Sequence, residues 1–365
     1  MLYRVIGVMS GSSLDGLDLA FVEIEELGGK WQYSLLEAEC YAYSPEWEAK
    51  LSQAPAMAAV DFVKLDADYG RYIGAQINRF IQDRQLEYKV GLIASHGHTV
   101  FHVPGSHSIQ IGHGAGIAAT TALPVVADLR SMDLALGGQG APIVPMGEKL
   151  LFSGYRYFLN IGGIANISCN GDTSYDAFDV CPANRVLNML ARTAGHDYDK
   201  NGGMAAVGRI HDPLLDRLNG LAFYQQDYPR SLANEFGTHE IIPLIAAFSL
   251  CPQDALATYV EHIAVQVHAA VERIGNKRNI DATREKLLVT GGGALNGYLV
   301  SRLEKHLAPY AMEVEVPDIN TVQYKEALIM ALLGVLRWRE EDTVMQTVTG
   351  ASRSSVGGAL WIGAD

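Results

Sequence analysis

The sequence predicts an α/β protein built from two similar domains, and three observations support that prediction. The chain has 365 residues, more than a single hydrophobic core usually supports. Each half opens with the same order of elements: a strand, a glycine-rich turn, a second strand, another turn and a third strand. In both halves, segments with helical spacing of apolar residues then alternate with short apolar strands. We therefore expect one domain at residues 1–127 and a second at residues 128–339, with residues 340–365 completing the first.

Composition and charge restrict the class of protein. The 41 acidic and 28 basic residues give a formal net charge of -13, which argues against a nucleic-acid partner because phosphate backbones are held by clustered Lys and Arg. The four cysteines show no Cys-x-x-Cys spacing, which favours a reducing compartment. No charged-then-apolar leader precedes the first strand, and the longest apolar run is too short to span a bilayer. We expect a cytoplasmic protein that does not enter a membrane.

The first glycine-rich turn lies between two apolar strands near the start of the chain. It runs from Gly11 to Asp18 and contains two glycines, two serines and two aspartates. Glycine lets backbone N–H groups converge on an anion, serine hydroxyls add donors, and carboxylates suit a phosphate that arrives with magnesium. The turn matches neither a Walker loop nor a Rossmann fingerprint. From these residues alone, an ordinary hairpin turn is an equally open interpretation.

The rest of the first half alternates between helix and strand. Apolar residues spaced by three and four over residues 62–81 predict a long amphipathic helix. A short buried strand at residues 90–94 leads into the polar sequence Ser95-His96-Gly97-His98-Thr99. An alanine-rich helix over residues 114–122 and a short strand follow. The polar segment 128–133 is then predicted to cross into the second domain and to line a cleft.

The second half repeats the opening pattern. A strand at residues 157–161 precedes the turn Gly162-Gly163, and two further strands end near residue 178. Another strand, residues 286–290, leads into Gly291-Gly292-Gly293 and a helix. A final helix is predicted over residues 324–337. Three glycine-rich turns thus follow strands. Any one of them could occur by chance, but all three in this order are much less expected by chance.

This order of turns resembles the acetate and sugar kinase, Hsp70 and actin superfamily, and the resemblance narrows to the anhydro-N-acetylmuramic acid kinases of cell-wall recycling. It implies two duplicated actin-like ATPase domains with ribonuclease H-like βββαβαβα cores and an interdomain cleft. The resemblance runs nearly from end to end. The blocks that carry it are residues 9–18, 95–99, 127–130, 137–142, 160–166, 178–184 and 290–296.

The resemblance implies an ATP-dependent kinase that cleaves the 1,6-anhydro ring of 1,6-anhydro-N-acetylmuramic acid with water and phosphorylates O6. It implies ATP and Mg²⁺ as cofactors, with Asp15 and Asp18 the nearest candidates for metal contact, and a homodimer. No residue is assigned as a direct metal ligand. The residues expected to hold the nucleotide are Gly11, Ser12, Ser13, Leu14, Asp15, Gly16, Leu17, Asp18, Gly162, Gly163, Gly291, Gly292 and Gly293.

The resemblance assigns Asp179 as the base that takes a proton from the attacking water. From the residues alone, an N-cap aspartate before the following helix is the competing interpretation. The block after Asp179 departs from the family, which usually has Thr-Gly-Pro there and an aspartate four residues beyond the asparagine. Here Val180, Cys181 and Asn188 occupy these positions. These departures could affect the reaction rate or the fit of the sugar, and they leave the proposed base in place.

Other residues are expected at the sugar. An arginine fork matches a carboxylate, so Arg130 suits the lactyl group, although an interdomain salt bridge is equally open. Glu326 could instead stabilise a helix N-terminus. Five histidines lie between residues 96 and 113, but without paired helical spacing a metal site is not favoured, and a neutral hydrogen-bonding role suits His98, where the family usually has Gln. The full set of expected sugar contacts is His96, His98, Arg130, Asp133, Asn184 and Glu326.

Two rival functions remain open at this point. A fold does not fix a substrate, so another kinase or phosphatase of the same fold could act on a different sugar or on polyphosphate. A non-catalytic nucleotide sensor is the more distant alternative. ADP release that depends on the sugar distinguishes the kinase from the sensor.

Overall fold

The computed structural model describes residues 1–11, 14–171, 175–228, 230, 232, 235–278 and 284–363. The chain divides into two compact units. The first comprises Met1–Ser153 with Tyr324–Asp365, and the second comprises Gly154–Gln323. No helix among the described residues is both long enough and apolar enough to cross a membrane.

The elements follow one another along the chain in three groups. Those of the first unit before residue 154 are β1 Leu2–Ser10, β2 Gly16–Leu27, β3 Lys30–Ala42, α1 Pro45–Gln53, α2 Ala59–Asp83, β4 Leu92–Val103, β5 His107–Ile111, α3 Gly114–Thr121, β6 Val125–Ala127, α4 Ser131–Ala135 and α5 Val144–Leu151. Those of the second unit are β7 Tyr157–Ile161, β8 Ile164–Asn170, β9 Tyr175–Pro182, α6 Asn184–Arg192, α7 Gly203–Val207, α8 Asp212–Asn219, α9 Ala222–Gln225, α10 Ile242–Ala246, α11 Pro252–Arg278, β10 Lys286–Thr290, α12 Gly297–Leu307 and β11 Glu313–Glu315. The last group is α13 Ile319–Trp338, α14 Gln346–Thr349 and β12 Ala359–Trp361.

The sheet of the first unit is centred on β1. Strands β1, β2 and β3 form an antiparallel meander, and β1 pairs on its other side with the parallel strand β4. β4 in turn pairs with the parallel strand β6, and β12 closes that edge antiparallel to β6. Because β1 and β4 are parallel, their C-terminal ends lie side by side, with Ser10 opposite His98. This is the end of an α/β sheet at which ligands bind.

The sheet of the second unit has the same arrangement. Its order is β11-β10-β7-β8-β9, with β7, β8 and β9 as an antiparallel meander and β7, β10 and β11 parallel. The order β3-β2-β1-β4-β6 of the first unit therefore recurs as β9-β8-β7-β10-β11 in the second. This recurrence confirms the predicted duplication of a ribonuclease H-like core.

Apolar periodicity explains the cores of the two units. On α2, a stripe of apolar residues at steps of three and four is buried, including Tyr69, Ile73, Ile77 and Phe80, as the predicted amphipathic helix requires. α11 is instead buried over most of its surface and packs against β8, β9, α6, α7, α8 and α12. Full burial of each large apolar side chain is worth about 1.5–3 kcal/mol. These helices therefore anchor the sheets whose strand ends carry the candidate site.

The boundaries of the units differ from the predicted domain boundaries. Residues 128–153 and 324–339, predicted for the second domain, belong to the first unit. The polar segment at residues 128–133 does not cross out of that unit and leads into the helix α4. The physical reason is close packing of α13 on the first sheet: a Cβ atom at Gly7 would lie 1.8 Å from the carbonyl oxygen of Ala327. Only glycine permits this approach of strand to helix.

Candidate active site

The turn between β1 and β2 carries the first set of predicted nucleotide contacts. Of these residues, Ser12 and Ser13 lie outside the described part of the chain. Leu14 has a positive φ of 58°, and its N–H donates to Gly11 O over 3.4 Å. A Cβ atom at Gly16 would lie 2.6 Å from Cys40 Sγ and 2.8 Å from Tyr41 O. Gly16 is therefore required for β2 to pack closely beside β3.

Asp18 lies directly across from Cys40 in the β2–β3 pair, and its carboxylate is hydrogen-bonded to the Cys40 thiol. Burial, helped by the nearby carboxylates of Asp15 and Glu326 and opposed by the thiol, raises the pKa of Asp18 to about 6. Burial also raises the pKa of Glu326 on α13. The carboxylates of Asp15 and Glu326 are therefore near enough to act on Asp18, which is an environment that a cation would stabilise.

Arg130 and His96 form a fixed pair in the first unit. Arg130 donates to Nε2 of His96 from Nε over 3.0 Å and from Nη2 over 2.9 Å, and Nη1 donates to Gly140 O over 2.6 Å. His96 Nε2 must therefore carry the lone pair, and the ring proton lies on Nδ1, which donates to Gly97 O over 3.0 Å. Burial, followed by the Arg130 charge, lowers the pKa of His96 to about 3. His96 is neutral and orients Arg130.

Asp133 lies behind Arg130 and is only 1% exposed. Its Oδ2 accepts the Gly140 N–H over 2.7 Å, and its Oδ1 accepts the Thr349 hydroxyl over 2.6 Å. Both carboxylate oxygens are thus engaged by the protein. Asp133 fixes the loop whose Gly140 carbonyl accepts a hydrogen bond from Arg130. In this structure it therefore supports Arg130 indirectly, whereas we expected it to contact the sugar.

In the second unit, the Gly162-Gly163 turn between β7 and β8 is tied to the start of α6. Ala183 N–H donates to Gly163 O over 2.8 Å, and Asn184 N–H donates to Gly162 O over 3.0 Å. The Asn184 side chain donates to Ile161 O over 3.0 Å. A Cβ atom at Gly163 would make only ordinary contacts with Arg185, at 3.8 and 3.9 Å. Packing within the unit therefore does not require glycine at 163, which leaves room for a ligand above the turn.

The glycines at 291–293 lie beside that turn, and packing does require Gly291 and Gly293. Gly291 has a φ of 79°, and a Cβ atom there would lie 2.5 Å from Asn160 Oδ1. At Gly293 it would lie 2.2 Å from Ile161 Cγ2 and 3.2 Å from Asn184 Oδ1. A short 3₁₀ turn follows, and Asn296 caps α12 by accepting the Leu299 N–H over 3.0 Å. The second unit thus brings together both of its predicted nucleotide turns, with Asn184 between them.

Asp179 lies within β9, opposite Asn166 of β8. The competing N-cap interpretation is wrong, because Ala183 precedes α6 and no side chain caps that helix. Asp179 Oδ2 accepts the Leu232 N–H over 2.8 Å, whereas Oδ1 makes no hydrogen bond to any described residue. Burial raises the pKa of Asp179, while the Leu232 N–H and the Arg230 charge lower it. Among the described residues, one oxygen is held and the other has no partner, which is an arrangement that suits a general base.

Arg230 is a candidate functional residue that was not among the expected site residues. Its Nε donates to Asp179 O over 3.2 Å, and its own carbonyl accepts the Asp179 N–H over 3.1 Å. Its guanidinium also lies over the rings of Phe178 and Phe223 and donates to Phe223 O. About fifty residues separate Arg230 from the strand it holds, so no local pattern in the sequence could reveal the pairing.

No group of three or more His, Cys, Asp or Glu side chains suited to a metal ion occurs among the residues that the structure describes. In the histidine-rich region, the structure pairs His98 Nδ1 with Ser10 Oγ at 2.9 Å and His102 Nδ1 with Ser108 Oγ at 3.1 Å. These two histidines therefore make hydrogen bonds with hydroxyl groups.

Comparison with known proteins gives a consistent result. A family model described as anhydro-N-acetylmuramic acid kinase matches residues 3–363. Curated relatives with that name include proteins from Synechococcus elongatus (32% identity, 96% of this chain and 97% of the relative), Photobacterium profundum (32%, 98% and 98%) and Aliivibrio fischeri (33%, 98% and 99%).

Two solved structures give weaker likenesses. An activator of the 2-hydroxyisocaproyl-CoA dehydratase from Clostridium difficile has a TM-score of 0.44 at 16% identity, covering 92% of this chain and 96% of that chain. A ROK family glucokinase from Streptomyces griseus has a TM-score of 0.44 at 13% identity, covering 91% and 99%. At this level of similarity they add nothing to the family match.

Proposed function

We infer that this chain, which belongs to the anhydro-N-acetylmuramic acid kinase family, opens the 1,6-anhydro ring of 1,6-anhydro-N-acetylmuramic acid with water and phosphorylates O6 with ATP. The products are N-acetylmuramic acid 6-phosphate and ADP. The observation that carries the mechanism is the carboxylate of Asp179, with Oδ2 bound to the Leu232 N–H and Oδ1 without a described partner. The family match does not favour a kinase for another sugar or a non-catalytic sensor.

The reaction places two demands on the protein, which are a base for water and a fixed position for the phosphoryl group. Asp179 Oδ1 accepts a proton from water as the water oxygen bonds to the anomeric carbon. The bond between that carbon and O6 breaks, and O6 forms a new bond to the γ-phosphorus as the bond from phosphorus to the β-γ bridging oxygen breaks. The electron pair leaves with ADP, and the proton remains on Asp179 until it is released to solvent.

The nucleotide is proposed to contact the turn at residues 11–18, the Gly162-Gly163 turn and the cluster Gly291-Gly292-Gly293. Support comes from Gly163, where glycine is required neither by a positive φ nor by close packing. Such a position fits a backbone that a phosphate approaches closely. Gly291 and Gly293 differ from Gly163, because side chains at these two positions would collide with β7. Their role is proposed to be close packing of the cluster on β7, next to the nucleotide site.

Magnesium fits the donor chemistry of the first unit. Asp15 and Asp18 supply carboxylate oxygens, and Mg²⁺ is commonly held by one or two carboxylates together with phosphate oxygens and water. The absence of a three-residue cluster among the described side chains is therefore compatible with this ion. When bound, Mg²⁺ would neutralise charge on the phosphates, and Asp18 would be held in its ionised form despite burial.

Arg130 is proposed to bind the lactyl carboxylate of the sugar. Three of its five N–H donors are engaged, one from each nitrogen, with His96 and Gly140. One donor on each terminal nitrogen remains without a described partner, which is the spacing that a carboxylate accepts bidentately. Glu326, which makes no hydrogen bond to a described residue, is proposed to accept from sugar hydroxyls. His98 and Asn184 complete the proposed contacts, with Asp133 supporting Arg130 through Gly140.

Recycling of cell-wall sugars in the cytoplasm, by a homodimer, is the setting that the family resemblance supports. The four cysteines are all unpaired, which fits a reducing compartment. A sedimentation measurement of the purified chain tests the dimer directly, because a single species at the monomer mass would exclude it.

The experiment that tests the function is ADP release by the purified protein with MgATP, in the presence and absence of 1,6-anhydro-N-acetylmuramic acid. Mass spectrometry of the product must show addition of both water and phosphate to the sugar. ADP release that is independent of the sugar, or a phosphorylated product that keeps the anhydro ring, would contradict the proposal.

A further inference from the structure

A chain of buried hydroxyl groups ends at His98 in the first unit. Tyr43 OH lies 2.5 Å from Tyr69 OH and donates to Ser10 Oγ over 2.8 Å, and Ser10 Oγ lies 2.9 Å from His98 Nδ1. Tyr69 is fully buried, and Ser10, Tyr43 and His98 are each less than a tenth exposed. The chain ends where β1 and β4 lie side by side, next to Gly11 of the first turn.

Counting hydrogens gives this chain a direction. Tyr43 has a single hydroxyl hydrogen, which it donates to Ser10, so the hydrogen between the two tyrosines must come from Tyr69. Ser10 already accepts from Tyr43, and its own hydrogen needs an acceptor. The Nδ1 lone pair of His98 is the acceptor that the described hydrogen bonds provide. Each group from Tyr69 to Ser10 therefore donates toward His98.

We infer that Tyr69, Tyr43 and Ser10 are positioning residues that fix His98 as its Nε2–H tautomer, so that Nε2–H donates a hydrogen bond to an acceptor oxygen of a bound substrate. The inference rests on the proposed function for the identity of that substrate. His98 Nε2 makes no hydrogen bond to any described residue and is not among the fully enclosed polar atoms that lack a partner. Its hydrogen is therefore available to a ligand.

Two features support a neutral donor at this position. Burial lowers the pKa of His98, so the ring is uncharged near neutral pH and has one N–H only. His96, two residues earlier on the same strand, is fixed in the opposite tautomer, because Arg130 donates to its Nε2 and its Nδ1–H donates to Gly97 O. Neighbouring histidines in opposite tautomers indicate that each is set by its own partners.

The acceptor oxygen has two sources in the proposed reaction. Ser10 immediately precedes the turn expected at the phosphates, which would place a γ-phosphoryl oxygen near His98. The sugar presents hydroxyl, ether and carbonyl oxygens. Both sources share the chemistry of a neutral or anionic oxygen acceptor, and the kinetic constants for the two substrates distinguish them.

The first test measures the tautomer without reference to activity. Two-dimensional ¹⁵N–¹H spectra of the histidine rings, assigned with His96→Gln and His98→Gln variants, report which ring nitrogen carries the proton. We expect the Nε2–H pattern for His98 and the Nδ1–H pattern for His96 in the free protein. In Ser10→Ala, His98 should become a mixture of tautomers while His96 stays unchanged. An Nδ1–H or charged His98 in the native protein would overturn the inference even if the enzyme proves inactive.

The second test measures the contact with substrate. His98→Leu should reduce kcat/KM about tenfold or more, whereas His98→Gln, which keeps an N–H donor, should restore most of that loss. A rise in KM for the sugar alone assigns the acceptor to the sugar, and a rise for MgATP alone assigns it to the phosphate. His102→Leu removes a matched His–Ser pair from the same strand and should leave both constants unchanged. Equal kinetics in His98→Leu and the native protein would overturn the contact.

Discussion

The Leu232 N–H donates to Oδ2 of Asp179 over 2.8 Å, and the other carboxylate oxygen has no hydrogen-bond partner among the described residues. Asp179→Asn preserves the shape of the side chain and still offers an oxygen to Leu232. Because the amide accepts no proton from water, sugar-dependent ADP release should fall by about 100-fold or more. Thermal unfolding and binding of a non-hydrolysable ATP analogue should remain close to native, and a variant that retains activity would remove Asp179 from the role of base.

The Arg230 charge favours the ionised form of that base against the effect of burial. Asp179 must be ionised to accept a proton, so kcat/KM should fall as pH falls through its pKa, which burial raises above 3.8. The Arg230 charge lowers that pKa, and Arg230→Gln should therefore move the acidic limb of the pH profile to higher pH as well as reducing kcat. Arg230→Lys, which keeps the charge, should shift the limb less.

Arg273 provides the matched control for Arg230. It donates to Gln226 O, as Arg230 does, but makes no described contact with Asp179. Arg273→Gln should leave the acidic limb in its native position. If the acidic limb of the pH profile moved equally in Arg230→Gln and Arg273→Gln, or in neither variant, Arg230 would have no specific effect on the pKa of Asp179.

The ionised carboxylate of Asp18 should lower the free energy of unfolding at high pH. The pKa of its carboxyl is about 6 in the folded protein and 3.8 ordinarily, so folding disfavours the charged form. The cost is absent below about pH 3, where both states are protonated, and is complete above about pH 7. Asp18→Asn should therefore raise Tm more at about pH 8 than at about pH 5, while weakening binding of MgATP.

The same pair of melts with Asp68→Asn controls for removing any surface charge. Asp68 is partly exposed and pairs with Arg71 one turn away on α2. Its substitution should give no gain that grows with pH. A gain for Asp18→Asn that is larger at the lower pH would contradict the assignment.

Gly163 should be sensitive to a side chain only when nucleotide binds. A Cβ atom at this position would have no neighbour closer than Arg185 Nε at 3.8 Å, so Gly163→Ala should fold with native stability. A methyl group at the turn should nevertheless weaken binding of an ATP analogue by about tenfold, because it displaces the phosphates from the backbone. Gly154→Ala, at a site with no atom within 4 Å, should change neither property, and equal affinities for all three proteins would exclude the 162–163 turn from the phosphate site.

Local pattern predicted the strands and their glycine-rich turns well, because both depend on short-range constraints. The repeated order of strand, turn and strand became two sheets of the same topology. The strand position of Asp179 could not be predicted, because an aspartate three residues before a proline also fits a helix cap, and pairing with Asn166 decides between them.

Long-range contacts explain what local pattern left out. Asp133 is a polar residue in a polar segment, yet Thr349, more than two hundred residues later, takes up one of its oxygens. Arg130 could be expected as a carboxylate-binding fork, but its anchoring by His96 and Gly140 depends on contacts between separate segments. The unit boundary shifted for a similar reason, because α13 packs on Gly7 of the first strand.

The edge strand β12 has a consequence for how the protein is made. Residues 154–323 form a contiguous unit whose contacts lie within one stretch of the chain, whereas the first unit needs α13 and β12, which follow that stretch in the sequence. We therefore expect the second unit to complete its fold before the first, the reverse of the usual order from the N-terminus. Until α13 emerges the Gly7 face of β1 is uncovered, and until β12 emerges the outer edge of β6 lacks its strand partner, so the first unit can complete its sheet only after the second unit has been synthesised.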